Sequence, residues 1–234
     1  MTSTARARAP VQGQGMNAVE GAPQVRVRKR IQLPIGRVRA DEAGGEAVPD
    51  LVTFDGLNRP DDFALVFAGG AADAPWVRVH SACLTGDVFG SARCDCGPQL
   101  DAALALLAVE GGVLLYLHQE GRGIGLRAKI EAYALQDLGL DTFAANESLG
   151  YPPDARDYHS AAAMLRALGI DRVRLLTANP EKVEQLRAAG IAVDDTRALV
   201  TPPTPYNRDY LEAKQKRFAQ FAAARLGTGE QRNR

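Results

Sequence analysis

The chain has 234 residues, 46% of them hydrophobic, enough to bury a core as one large domain or two small ones. Its 28 basic and 28 acidic side chains cancel, so no global field draws it to nucleic acid or anionic lipid, and an anionic ligand must be met by a local site. No run of about 18 apolar residues predicts a membrane span, and the first residues lack the apolar core of a secretory signal.

Residues 1–24, rich in Ala, Gly, Gln and Pro, predict a disordered tail. "VRVRKRIQLPIG" alternates as a strand does, and "ALVFAGG" and "WVRVHSACL" are further strand candidates, so the first half reads as largely β. "GPQLDAALALLAVEGG" then predicts a helix, with Pro98 suited to an early position, Leu100, Ala103, Leu104 and Leu107 on one face, and glycines to end it. After the apolar run "GVLLYLH", "GLRAKIEAYALQDLG" returns to helical spacing through Leu126, Ile130, Ala134 and Leu138, closing at Gly139. The alternation repeats in "DARDYHSAAAMLRALG", "DRVRLLT", "NPEKVEQLRAAG" and "IAVDD", which predicts parallel strands with helices packed on the sheet. "TPPTPYNRDY" leads into a last helix near residues 209–226, and 227–234 form a polar tail. The expectation is an α+β fold in a single domain over 25–226, β-rich in front and α/β behind.

All three cysteines fall within fourteen positions, as Cys83-x10-Cys94-x-Cys96. An odd number leaves one thiol over from any pairing, and Cys94 and Cys96 are too close in sequence to join comfortably, which predicts a reducing, cytoplasmic setting. Three soft ligands at this spacing suit zinc; the alternative is a set of buried thiols packing as small apolar residues. His80 could close a structural site, whereas water would leave a catalytic one.

Three further stretches carry chemistry. "HQEGRGIGL" (118–126) sets Glu120 and Arg122 among glycines between a strand and a helix, where an α/β sheet meets ligands, although an ordinary tight turn has the same composition. In "LLTANPEKVEQL", Thr177 ends a strand, Asn179 caps, Pro180 opens a helix and Lys182 sits in its first turn; this makes an anion site or a merely well-capped helix. "YPPDARDYHS" places Asp154 and Arg156 near another helix start, as a cap or as a catalytic carboxylate with its neighbour.

Taken together, "RVHSACLTGD", "RCDCGPQL", "QEGRGIGL", "KIEAYALQD" and "LLTANPEKVEQL" resemble the GTP cyclohydrolase II family, in order from about residue 76 to 195. The resemblance implies one catalytic zinc per chain on Cys83, Cys94 and Cys96 with water as the fourth ligand, magnesium with the triphosphate, and a homodimer. It implies GTP contacts from Arg78, Val79, His80, Ser81, Gln99, Glu120, Gly121, Arg122, Thr142, Thr177 and Lys182. It also implies Asp154 as proton acceptor, Arg156 as nucleophile and Tyr133 as a tyrosine the chemistry needs. The reaction implied is hydrolytic opening of the guanine imidazole ring, with release of formate and pyrophosphate, as the first step of riboflavin synthesis. A guanidinium with a pKa above about 12 has no free lone pair to attack with, so the nucleophile role is hard to derive from the residue itself.

Two departures stand out: Ala82 where the family usually has glutamate before the first cysteine, and "LRAK" after the glycine loop. They motivate a second reading, a related enzyme acting on another purine nucleotide or in another pathway such as uracil catabolism. A non-catalytic zinc and nucleotide module is a third, against which the presence of Tyr133, Asp154 and Arg156 argues.

Overall fold

The computed structural model describes residues 24–38, 48–71 and 73–229. Its strands are β1 (Arg26–Gln32), β2 (Asp50–Asp55), β3 (Phe63–Phe67), β4 (Trp76–Ser81), β5 (Gly112–Leu117), β6 (Arg172–Leu176) and β7 (Ala192–Arg197), forming one sheet in the order β1-β2-β3-β5-β4-β6-β7. The pairs from β1 to β5 are antiparallel, and those from β5 through β4 and β6 to β7 are parallel. The expected β-rich front is thus an antiparallel half, and the α/β back a parallel half, because parallel neighbours need long crossovers. β2, "DLVTFD", is a strand that sequence reasoning did not single out, its short alternation being bounded by aspartates.

The helices are α1 (Cys96–Glu110), α2 (Gly125–Asp137), α3 (Thr142–Ser148), α4 (His159–Ala167), α5 (Pro180–Ala188) and α6 (Arg208–Gly229). α3 was not predicted; Asp141 starts it, its carboxylate accepting from the amides of Phe143 and Ala144. α6 runs on to Gly229, into the stretch expected as a tail. The expected amino-terminal tail lies outside the described residues, apart from Gln24.

Alternate residues of β5 divide the core. Val113, Leu115 and Leu117 pack with Tyr158, Ala161, Met164 and Leu165 around α4, and with Leu186 of α5, on one face. Leu114 packs on the other face with Trp76, Leu100, Ala103, Leu104 and Leu107, the predicted inner face of α1. Each leucine so buried contributes roughly 1.5–3 kcal/mol. The loops leaving β4, β5 and β6 therefore diverge at one end of the sheet, between a crossover on one face and crossovers on the other, which is where such sheets open a crevice.

α2 corrects the sequence reading. Its apolar stripe points outward, with Leu126 38%, Ile130 50% and Leu138 80% exposed, while Ala128, Lys129 and Ala132 are buried. A lysine faces inward because the crevice, and not the core, lies on that side. Among the described residues no helix is long and apolar enough to cross a membrane.

Candidate active site

β4 ends at Ser81, and the chain turns through Cys83 into one π-helical turn, Leu84–Val88, that carries Gly86 and Asp87. The segment returns through Cys94 to Cys96, the first residue of α1. The three Sγ atoms lie within 4.8 Å of one another, with Cys83 and Cys94 3.7 Å apart. Gly86 leaves room for this convergence: a Cβ there would stand 3.0 Å from the Cys94 Sγ and 3.1 Å from the Cys83 Sγ. Gly97 permits it too, since a Cβ there would meet the Gly86 carbonyl oxygen at 2.4 Å. Asp87, 5% exposed, fixes the turn by accepting from the Cys83 amide at 2.9 Å, the Tyr116 hydroxyl at 2.8 Å and His80 Nε2 at 3.2 Å. Burial lowers the pKa of His80, whose ring is thus a neutral partner of Asp87. Among the described residues only the three cysteines form a metal-ligating group, so His80 does not close the site.

Lys129 stands behind the cysteines. Its ammonium lies 3.1 Å from the Cys83 Sγ, 2.9 Å from the Thr85 hydroxyl and 2.8 Å from Glu120 Oε1. Hydrogen bonds from the Cys94 and Cys96 thiols, with this ammonium beside them, hold Cys83 well below the usual thiol range. The hydrogen bond to Cys83 in turn pushes Cys94 up to about 11, and the hydrogen bonds to Cys83 and Cys94 hold Cys96 well above the usual thiol range. One proton leaves such a trio easily and two do not, unless a cation replaces them; the donor set fits a soft divalent ion.

Two chambers meet beside the cysteines. The first is bordered by Ala82, the three cysteines, Glu120, Gly121, Tyr133 and Thr142. The second is basic, bordered by Arg78, His80, Gln99, Thr177, Lys182 and Lys214. Ser81, Cys96, Arg122, Arg156 and Tyr210 border both. Arg122 follows Gly121 into the left-handed region, with φ of 60° and 61° respectively, an unusual conformation for a residue with a side chain. Its carbonyl accepts from the Ala155 amide, and Gln119 exchanges hydrogen bonds with both backbone groups of Asp157, so the loops at 119–123 and 154–157 are strapped together. Three residues at the end of β4 keep buried polar atoms with no protein partner, Arg78 Nε, His80 Nδ1 and Ser81 Oγ. Such atoms mark a place where a polar ligand is met.

A sequence model described as GTP cyclohydrolase II matches residues 42–198. The chain belongs to the GTP cyclohydrolase II family. The GTP cyclohydrolase-2 of Psychromonas ingrahamii is 46% identical over 194 residues, covering 82% of this chain and 94% of that one. The GTP cyclohydrolase-2 of Xylella fastidiosa is 58% identical over 169 residues, 71% of this chain and 42% of its own length. The riboflavin biosynthesis protein RibBA of Staphylococcus saprophyticus is 45% identical over 169 residues, 72% of this chain and 43% of its own. This chain therefore spans nearly all of the first relative and under half of the other two. The family match takes in β2 and β3 of the antiparallel half, well before the motifs that suggested GTP cyclohydrolase II in the sequence.

The expected site residues of a GTP cyclohydrolase II converge on this crevice, with two differences. The Val79 side chain is in the core, and only its carbonyl is engaged, accepting from Lys182 Nζ at 2.7 Å. Asp154 lies behind the chambers in a third cavity, pairing with Arg156 at 2.5 Å and Arg122 at 3.1 Å. Burial raises the Asp154 pKa, but the hydrogen bonds and charge of Arg156 outweigh it and bring the carboxyl down to about 2. So weak a base orients guanidiniums better than it accepts protons. Burial works against the Arg156 charge, yet Tyr158 and Asp154 hold its pKa above the ordinary arginine value, so it remains a cation. Burial raises Tyr133, which keeps its proton at neutral pH. Sequence reasoning missed Lys129, Asp87, Tyr210 and Lys214. For Lys129 the available signal was its place between Ala128 and Ala132, small residues suited to a close approach.

Proposed function

We propose that the protein hydrolytically opens the guanine imidazole ring of GTP, releasing formate and pyrophosphate and leaving 2,5-diamino-6-hydroxy-4-(5-phosphoribosylamino)pyrimidine, the first step of riboflavin synthesis. One observation carries the reading: a three-thiol cluster forms the wall of a chamber that continues directly into a basic one. A base whose C8 reaches the thiols can send its phosphates toward Arg78 and Lys182. Cys83, Cys94 and Cys96 would hold zinc, which when bound supplies the Lewis acidity that makes water nucleophilic near neutral pH. Magnesium would accompany the triphosphate, as phosphoryl chemistry usually requires.

The chain's own groups divide the remaining work. One water adds at C8 and the C8–N9 bond breaks; Tyr133, protonated and on the chamber wall, donates to the departing nitrogen. A second water cleaves the resulting formamide to formate and an amine. A third breaks the α–β phosphoanhydride, with Arg156, at the junction of the chambers, holding charge on the α-phosphoryl oxygens. Asp154 keeps Arg122 and Arg156 aimed at that junction. Thr177, Lys182 and Gln99 bind the polyphosphate, while Glu120, Gly121 and Thr142 bound the base. A cytoplasmic setting is supported by the three unpaired thiols, and a homodimer by the exposed apolar stripe of α2.

Purified protein incubated with GTP, zinc and magnesium should yield formate, pyrophosphate and the diaminopyrimidine by mass spectrometry. Unchanged GTP with zinc bound stoichiometrically would overturn the reading. Ala82, on the wall of the thiol chamber, favours testing other purine nucleotides in parallel.

A further inference from the structure

α6 lies beyond the span matched to the family, yet its inner face borders the basic chamber. Tyr210, Lys214 and Phe218, spaced at i, i+4 and i+8, present one stripe to it, and Tyr210 also borders the thiol chamber. The helix is not seated as the others are. No residue over 208–221 is fully buried, and among the described residues none of α6 belongs to either core layer. Polar contacts hold it instead: Lys214 Nζ to Asp95 Oδ2 at 2.8 Å, Arg217 to Glu181 at 3.3 Å, and the Arg217 guanidinium 4.9 Å from the Phe143 ring. Its entry is better fixed, because buried Asn207 accepts from the Thr204 amide and the Thr204 hydroxyl donates to the Ala92 carbonyl.

The charges around the basic chamber do not balance. Arg78, Arg122, Arg156, Lys182 and Lys214 border it, against Asp95 on its lining and Asp154 behind it, which Arg122 and Arg156 share. Arg78 is 7% exposed with its Nε unpartnered. Burial, then repulsion from Arg78, Arg156 and Lys214, lowers Lys182 well below the usual lysine range. A polyanion relieves all of this. Asp95 can release Lys214 without being stranded, since Gln99 Nε2 also donates to it at 2.5 Å.

We propose that α6 is a substrate-binding element, in which Lys214 exchanges the Asp95 carboxylate for an outer phosphate oxygen of the nucleoside triphosphate and Tyr210 forms the wall common to both chambers. Arg122 and Arg156, at the junction, meet the inner phosphate; Lys214 borders only the basic chamber and so meets the β- or γ-phosphate. The assignment rests on the nucleotide reading above.

The test uses the full-length, zinc-loaded chain. Lys214→Met should raise KM for GTP about tenfold to hundredfold, the loss of one charge-assisted hydrogen bond, with most of the effect in KM and not kcat. Inhibition by guanosine monophosphate, which lacks the outer phosphates, should change less than threefold, and Lys214→Arg should recover most of the GTP affinity. Tyr210→Ala should weaken both nucleotides. An unchanged KM in Lys214→Met, or equal losses for the two nucleotides, overturns the proposal while parent turnover leaves the function standing. If the parent does not open GTP, inorganic tripolyphosphate titrated by calorimetry still separates the two: binding tenfold weaker in Lys214→Met sustains the polyanion role, and equal binding ends it.

Discussion

Replacing Gly86 by alanine should impair metal binding without removing a ligand. The added Cβ would lie 3.0 Å from the Cys94 Sγ, 3.1 Å from the Cys83 Sγ and 3.1 Å from the Cys96 Cβ. Comfortable contacts between such atoms begin near about 3.5 Å, so the methyl group is short of room by roughly half an ångström on three sides. Gly86 is not among the positive-φ residues, so backbone strain adds nothing and crowding is the whole effect. Overpacking of this kind costs about 1–3 kcal/mol. In the metal-free protein the thiols can move apart, whereas a bound ion requires them together, so the cost falls on the loaded state. Zinc affinity should drop roughly fivefold to 150-fold. Competition against a chromophoric chelator measures the affinity, and a thermal melt of the metal-free protein reports on the fold. Parent-like zinc affinity in Gly86→Ala would refute the reasoning, as would a loss confined to the melt of the metal-free form.

Three further outcomes are expected. Lys129→Met strips Glu120 and Cys83 of their shared cation; metal affinity or kcat/KM should fall about tenfold to hundredfold, and equal values in metal titration and kinetics would show the lysine to be a bystander. Asp154 falls from an ordinary 3.8 to about 2 on folding. A depressed carboxyl stabilises the protein above its unfolded pKa and loses that contribution as pH falls through the folded one, so about 2 kcal/mol should disappear between pH 4 and 2 in urea melts of the parent, and the Asp154→Asn variant should lack that part of the acid limb. Ala82→Glu restores the acid usual in the family at the chamber wall; it should lower KM for GTP or the magnesium requirement, and impaired activity, or faster turnover of another purine nucleotide by the parent, would count against the riboflavin pathway.

What the sequence disclosed depended on whether a residue's role was local. Leu100, Ala103, Leu104 and Leu107 repeat with the helical period and do pack inward, because the core alone decides which way α1 faces. On α2 the same periodicity misleads, since the crevice claims Lys129 and turns Leu126, Ile130 and Leu138 to solvent. The cysteines announced themselves by spacing, their convergence being a matter of one turn and one helix start. Lys129 approaches Cys83 across 46 positions, and Lys214 meets Asp95 across 119. No spacing rule reaches that far, and only the crossover topology brings them together. Ala82 is legible as a departure, but nothing in the structure explains it.

The orientation of α2 ties two things that are separate in most helices. Burial of apolar surface, which anchors α1, contributes little here, so attachment falls to a few polar tethers. Lys129 reaches Cys83 at one, and Asp137 accepts from Arg93, the neighbour of Cys94, at 2.7 Å at another, with the Arg93 guanidinium 4.5 Å from the Tyr133 ring. Both tethers end on the segment that carries the thiols. The helix that supplies Tyr133 is thus clamped to the loop that would grip the ion, and order in one is order in the other. Loading the thiols and aligning the tyrosine should therefore be coupled, each favouring the other, because both draw on the same Lys129 and Arg93 tethers.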